Sequence, residues 1–122
     1  MKDGNRTHRV AELIKRELAV LIPRELDDPR THKITLTSTD VARDLKSARV
    51  YFSLLAGSAE AEPVAAALNR AAGFLRHALK ARLALRSVPE LRFYFDESVE
   101  RGDRVSRLID RAVAEDSRGK KP

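Results

Sequence analysis

Val10, Leu13, Ile14, Leu18 and Leu21 recur at three- and four-residue steps, with Lys15, Arg16 and Ala19 on other faces. That spacing predicts an amphipathic helix from Thr7 to Ile22. Pro23 is expected to end it, because a proline disfavours helical geometry in the residue before it. Leu26-Asp27-Asp28-Pro29-Arg30 then reads as a turn. From Lys33 the chain turns β-branched. Ile34 and Leu36 share one phase and Val41 has the other, so either a bulge near Ser38–Asp40 or an early strand end is required. Beyond Arg43-Asp44-Leu45-Lys46, the residues Ala48, Val50, Phe52 and Leu54 alternate with Arg49, Tyr51 and Ser53. Two adjacent strands with so short a link predict an antiparallel hairpin.

Gly57–Pro63 reads as a linker. Val64, Leu68, Ala71, Ala72, Leu75, Ala78, Leu79 and Leu83 then form one helical stripe, interrupted by Gly73. Glycine costs a helix about 1 kcal/mol relative to alanine, so a kink or a break into two helices is expected there. Val88-Pro89 closes the segment, and Leu91, Phe93 and Phe95 alternate with Arg92, Tyr94 and Asp96 in a third strand. Asp96 or Ser98 is placed to cap a last helix with the stripe Val105, Leu108, Ile109, Ala112 and Val113. Residues 6–115 are expected to form one domain, and 116–122 a basic, disordered tail. The order helix, strand, strand, kinked helix, strand, helix predicts a small α+β fold, a three-stranded sheet with helices on one face.

Composition narrows the function classes. The chain has 122 residues, enough for a single domain. Its longest apolar runs, Leu18–Ile22 and Val64–Leu68, are far short of the about 20 residues of a bilayer span. No apolar stretch follows the charged N-terminus as in a secretory signal, and there is no cysteine, so a reducing cytoplasm is expected and no membrane partner. The net charge is +6, and arginines outnumber lysines 17 to 7. Polyanionic partners follow from the charge, although the arginine bias alone is also what a GC-rich genome produces. The placement matters more. Arg70, Arg76, Lys80, Arg82, Arg86 and Arg92 stand against Glu90 alone, whereas residues 1–32 are nearly balanced.

Catalytic chemistry finds little support. His8, His32 and His77 have no zinc-binding spacing, no phosphate-binding glycine loop occurs, and no serine sits in a nucleophile elbow. No enzyme activity, metal or other cofactor is expected. On the third-segment helix, Arg76 and Lys80 are i, i+4 neighbours on the flank of the apolar arc, able to reach phosphates while the helix stays docked. The same pair also suits an ordinary solvated face. Arg82 falls inside the arc, so either the helix has ended or Arg82 is paired. Phe93 and Phe95 read as core residues, and Tyr51 and Tyr94 as partly exposed on the opposite phase.

Six stretches, in order and with fitting gaps, carry a family resemblance. They are Arg6–Glu17 (RTHRVAELIKRE), Asp28-Pro29-Arg30, Asp44–Tyr51 (DLKSARVY), Ala71–Arg76 (AAGFLR), Leu85–Phe93 (LRSVPELRF) and Asp96-Glu97-Ser98. With them the chain resembles bacterial ribosome-binding factor A from Arg6 to Ile109. The resemblance implies a type II KH-like fold in which a helix–kink–helix at Ala71-Ala72-Gly73 replaces the usual GxxG loop. It implies an assembly factor that binds free 30S subunits through 16S rRNA and assists late maturation of that RNA, with release promoted by a GTPase. By position it marks Arg76, Lys80 and Arg86 as RNA contacts, with Arg43, Lys46 and Arg9 as further candidates. Asp28-Pro29-Arg30 is expected to be structural, an N-cap or turn leading into the first strand. A monomer is expected. The competing reading is a basic protein–protein adaptor without direct RNA contact.

Overall fold

In a computed structural model, which describes residues 2–55 and 57–98, the chain folds as three helices on one face of a three-stranded sheet. Helix α1 runs over Lys2–Glu25, strand β1 over Ile34–Val41 and strand β2 over Ser47–Leu54. Helices α2 (Ala61–Arg70) and α3 (Ala72–Arg82) follow, then strand β3 (Glu90–Phe95). The sheet order is β1-β2-β3, with β1 antiparallel and β3 parallel to β2. Parallel neighbours need a long crossover, and α2 with α3 supplies it. Ile14, Leu18, Leu68, Leu75 and Leu79 from the helices meet Val50, Phe52, Leu91 and Phe93 from the sheet in one buried core.

Several expectations shift by a few residues. Helix α1 does not stop at Pro23 but carries it in its last turn, and the amide of Leu26 still bonds the carbonyl of Ile22 at 3.1 Å. Leu18, Leu21 and Ile22 are all buried, and their docking outweighs the one backbone bond the proline removes. The bulge lies between Leu36 and Ser38, just before the expected place; Thr37 is the extra residue, after which Thr39 and Val41 turn inward. The segment 57–63 is not all linker, since a 3₁₀ turn spans Ser58–Glu60 and Pro63 lies in the first turn of α2, where its missing amide has no helical partner to lose. The last helix and the tail fall outside the described residues.

The long helix does break, but at Ala71, which has φ −88° and ψ −2°. Gly73 is helical, has no positive φ, and a Cβ added there meets nothing within 4 Å. The glycine is therefore not what turns the chain. Val64 and Leu68 before the break, and Leu75 and Leu79 after it, all bury into the same core, which needs two helix directions. Asn69 fixes the bend. Its side-chain amide donates to the carbonyl of Phe93 at 3.0 Å, and its oxygen accepts the amide of Phe93 at 2.9 Å. The same pair of bonds closes the free edge of β3 at that residue.

Candidate nucleic-acid interface

The β1–β2 turn is tightly built. The amide of Ala42 bonds the carbonyl of Ser47 at 2.9 Å, that of Leu45 bonds Ala42 at 2.8 Å, and the Asp44 carboxylate accepts the amide of Lys46 at 3.0 Å. Leu45 holds φ +60°, a conformation costly for a side chain with a Cβ, while that side chain packs against the core edge. Arg43 and Lys46, both exposed, flank this anchored leucine.

The connection from α3 to β3 meets this turn. The amide of Glu90 donates to the carbonyl of Lys46 at 2.9 Å, and Arg76 Nε donates to the carbonyl of Val88 at 2.8 Å. The hairpin turn, the loop carrying Arg86 and the first turns of α3 thus converge at one end of the sheet. Arg43, Lys46, Arg76 and Arg86 belong to this end, and Lys80 is exposed one helical turn beyond Arg76. Asp44 and Glu90 are the carboxylates within it, and Asp44 is engaged by the turn. Beside Arg76 a cleft opens between the kink and β3, lined by Asn69, Gly73, Arg76, Leu91 and Arg92.

Arg76 is not a plain surface cation, because one edge of its guanidinium ties α3 to the strand-entry loop. Its reversal therefore perturbs the fold as well as the charge. Arg82 resolves in favour of pairing: α3 runs through it, and its Nε donates to Glu17 on α1 at 2.7 Å. Arg9 stands exposed on α1, and among the described residues no hydrogen bond or ion pair joins it to the cationic end. Of the kink residues, Ala71 makes the turn, and Ala72 and Gly73 line the cleft beside Arg76. Sequence reasoning missed Asn69. Its signal was an isolated asparagine, a poor helix former, at the end of an alanine-rich run.

Asp28-Pro29-Arg30 lies at the opposite end, where α1 hands over to β1. Asp28 is the N-cap of a 3₁₀ turn over Pro29–Lys33, accepting the amide of Arg30 at 3.0 Å and its guanidinium at 2.8 Å. Hydrogen bonds from the Arg30 side chain and backbone lower the Asp28 carboxyl to about 2. At the end of β3, hydrogen bonds from Ser98 and then Thr37 lower that of Asp96. These are structural clasps. Among the described residues no group of three or more potential metal ligands occurs, and no helix is long and apolar enough to cross a membrane.

A three-stranded sheet with a broken helix crossing between two parallel strands, and no glycine-rich clamp loop at the break, defines a small KH-like α+β domain of type II. The comparisons with known proteins are specific. The family model for ribosome-binding factor A matches residues 6–109. The chain is 50% identical over 112 residues to ribosome-binding factor A of Nitrosomonas eutropha, covering 92% of this chain and 96% of that protein. It is 49% identical over 115 residues to that of Thioalkalivibrio sulfidiphilus, covering 94% and 89%. The crystal structure of ribosome-binding factor A from Thermus thermophilus superposes with a TM-score of 0.66 at 30% identity, covering 73% of this chain and 93% of that one. A homology model of the Thermus thermophilus protein, fitted into a cryo-EM map of a 30S–RbfA complex, gives 0.62 at 33% identity, covering 75% and 96%. The chain belongs to the ribosome-binding factor A family.

Proposed function

We propose that this protein is a small-subunit assembly factor, a binding protein and not an enzyme, which engages free 30S subunits through 16S rRNA and assists late maturation of that RNA. The observation that carries the reading is the convergence of Arg43 and Lys46 from the hairpin turn with Arg76 and Arg86 from the crossover. Lys80 extends the group along α3. Arg43, Lys46, Arg76 and Lys80 lie on the hydrogen-bonded turn and on α3, so they offer phosphates a fixed arrangement. Binding is by phosphate contact and shape, without base reading at this end. Arg9 is an outlying contact, and release by a GTPase fits a factor that must leave a finished subunit. The 30S complex of the Thermus thermophilus relative supports this reading.

The test is cosedimentation with free 30S subunits and with joined ribosomes. Lys80→Glu with Arg86→Glu is the informative pair, because both side chains are exposed and neither makes a hydrogen bond or ion pair among the described residues. The fold is expected to change by no more than about 0.5 kcal/mol, while 30S affinity falls sharply. The milder alanine versions are expected to flatten the salt dependence by roughly one unit of log–log slope per lost phosphate contact. Arg16→Glu on α1 is the control and is expected to matter much less. A folded double reversal that binds 30S with unchanged affinity and salt slope overturns the site.

A further inference from the structure

All three helices pack on one face of the sheet, and among the described residues no element covers the other. That uncovered face is ordered in rows. Asp40, Arg49 and Arg92 lie side by side across the three strands, and Ser38, Tyr51 and Tyr94 form the next row. Thr35 and Ser53 follow, and Ser47 with Glu90 precedes the arginine row. The two tyrosine rings are neighbours, with centroids 5.7 Å apart and planes tilted by 32°, and Tyr94 keeps 40% of its surface exposed. Arg49 and Arg92 are exposed too, and the ion pairs among the described residues, Asp28–Arg30 and Glu17–Arg82, lie elsewhere. Like charges directly opposite on neighbouring strands destabilise a sheet. Two arginines and two tyrosines in register are therefore an unusual choice for a face whose only task is to be wetted.

We propose that this face is a stacking platform for single-stranded RNA, on which two unpaired bases lie on Tyr51 and Tyr94 with the guanidinium planes of Arg49 and Arg92 beside them. The inference rests on the RNA-binding reading above but concerns a different surface, and its continuity with the cationic end chooses the occupant. Lys46 and Glu90 are joined where that end meets the sheet, and Arg49 lies three residues further along β2, about 10 Å. A strand held by phosphate at Arg43, Lys46 and Arg86 therefore passes over the arginine row and reaches the tyrosines. Every base has a π-face, so aromatic and guanidinium planes accept any unstacked sequence. Asp40 and Glu90 flank the arginines and leave the row close to neutral. Binding at this face is then dominated by stacking and depends weakly on salt, unlike binding at the cationic end.

Tyr51 and Tyr94 are the only tyrosines of the chain and there is no tryptophan, so intrinsic emission reports this face alone. The experiment titrates the full chain with an eight-nucleotide oligouridylate and, separately, with a double-stranded RNA of equal length. The single strand is expected to quench tyrosine emission saturably, and the duplex to bind without quenching. Tyr94→Ser and Arg92→Gln are each expected to weaken oligouridylate binding, roughly tenfold for the tyrosine, whereas Tyr94→Phe stays near the parent. Thermal midpoints check that each variant is folded. Oligouridylate binding without quenching overturns the platform, as does an affinity indifferent to both substitutions. Absence of binding also overturns it, including the case in which another part of the chain or a protein occupies the face. None of these results touches the 30S cosedimentation test. Unchanged 30S binding by Lys80→Glu with Arg86→Glu overturns the cationic site and leaves the oligouridylate result standing.

Discussion

Asn69 makes the sharpest claim about how the site is held. Its carboxamide makes two hydrogen bonds to the backbone of Phe93, at 3.0 and 2.9 Å, joining the last turn of α2, just before the break, to β3. A net intramolecular hydrogen bond contributes about 1 kcal/mol. Alanine at this position returns about 0.6 kcal/mol of helix propensity. Asn69→Ala is therefore expected to cost about 1–1.5 kcal/mol, a fall of roughly 5–10 °C in thermal midpoint for a domain of this size. Asn69→Asp keeps the acceptor for the Phe93 amide but turns the donor into a second oxygen facing the Phe93 carbonyl. At neutral pH it is expected to be less stable than Asn69→Ala. Protonating that carboxylate restores a donor, so its folded-state pKa lies above the unfolded value, and the deficit relative to Asn69→Ala shrinks as pH falls through it. Urea unfolding of the three proteins at pH 7 and pH 4.5 measures both effects. An Asn69→Ala stability within about 0.5 kcal/mol of the parent, or an Asn69→Asp that matches Asn69→Ala at both pH values, refutes the clasp.

Gly73→Ala is expected to raise stability by up to about 1 kcal/mol, because the position is helical and open, and a lower thermal midpoint would show that the glycine serves the break after all. Asp28 has its carboxyl lowered to about 2, so its contribution is complete above about pH 4 and is lost as pH falls through 2. Asp28→Asn is accordingly expected to lower the midpoint at pH 7 and to flatten the stability profile between pH 4 and 2; an unchanged acid limb contradicts the assignment. Arg76→Gln is expected to lower the midpoint more than Lys80→Gln, since only Arg76 ties the loop at Val88; equal midpoints refute that tie.

Much of the fold is legible along the chain because burial on one face imposes a period. The alternation of Ala48, Val50, Phe52 and Leu54, and of Leu91, Phe93 and Phe95, locates two strands. The phase conflict between Leu36 and Val41 announces either a bulge or a strand end, of which the pairing selects the bulge, and the stripe from Val64 to Leu83 announces the crossover. Local signals that compete with packing misplace the boundaries. Pro23 is tolerated inside α1 because Leu21 and Ile22 are buried beside it, and the break falls at Ala71 because two stripes share one core. The candidate site divides in the same way. Its cations are countable in the sequence, and the charge excess around α3 stands out there. Their convergence is not, because β2 and α2 separate Arg43 and Lys46 from Arg76 and Arg86 along the chain, and only the parallel pairing of β2 with β3 brings them together. The same pairing sets Arg49 beside Arg92 and Tyr51 beside Tyr94. Periodicity tells which face a side chain takes, since that depends on neighbours a few residues away; which distant side chain it meets depends on strand order and register, and those are settled when the helices and sheet bury a common core.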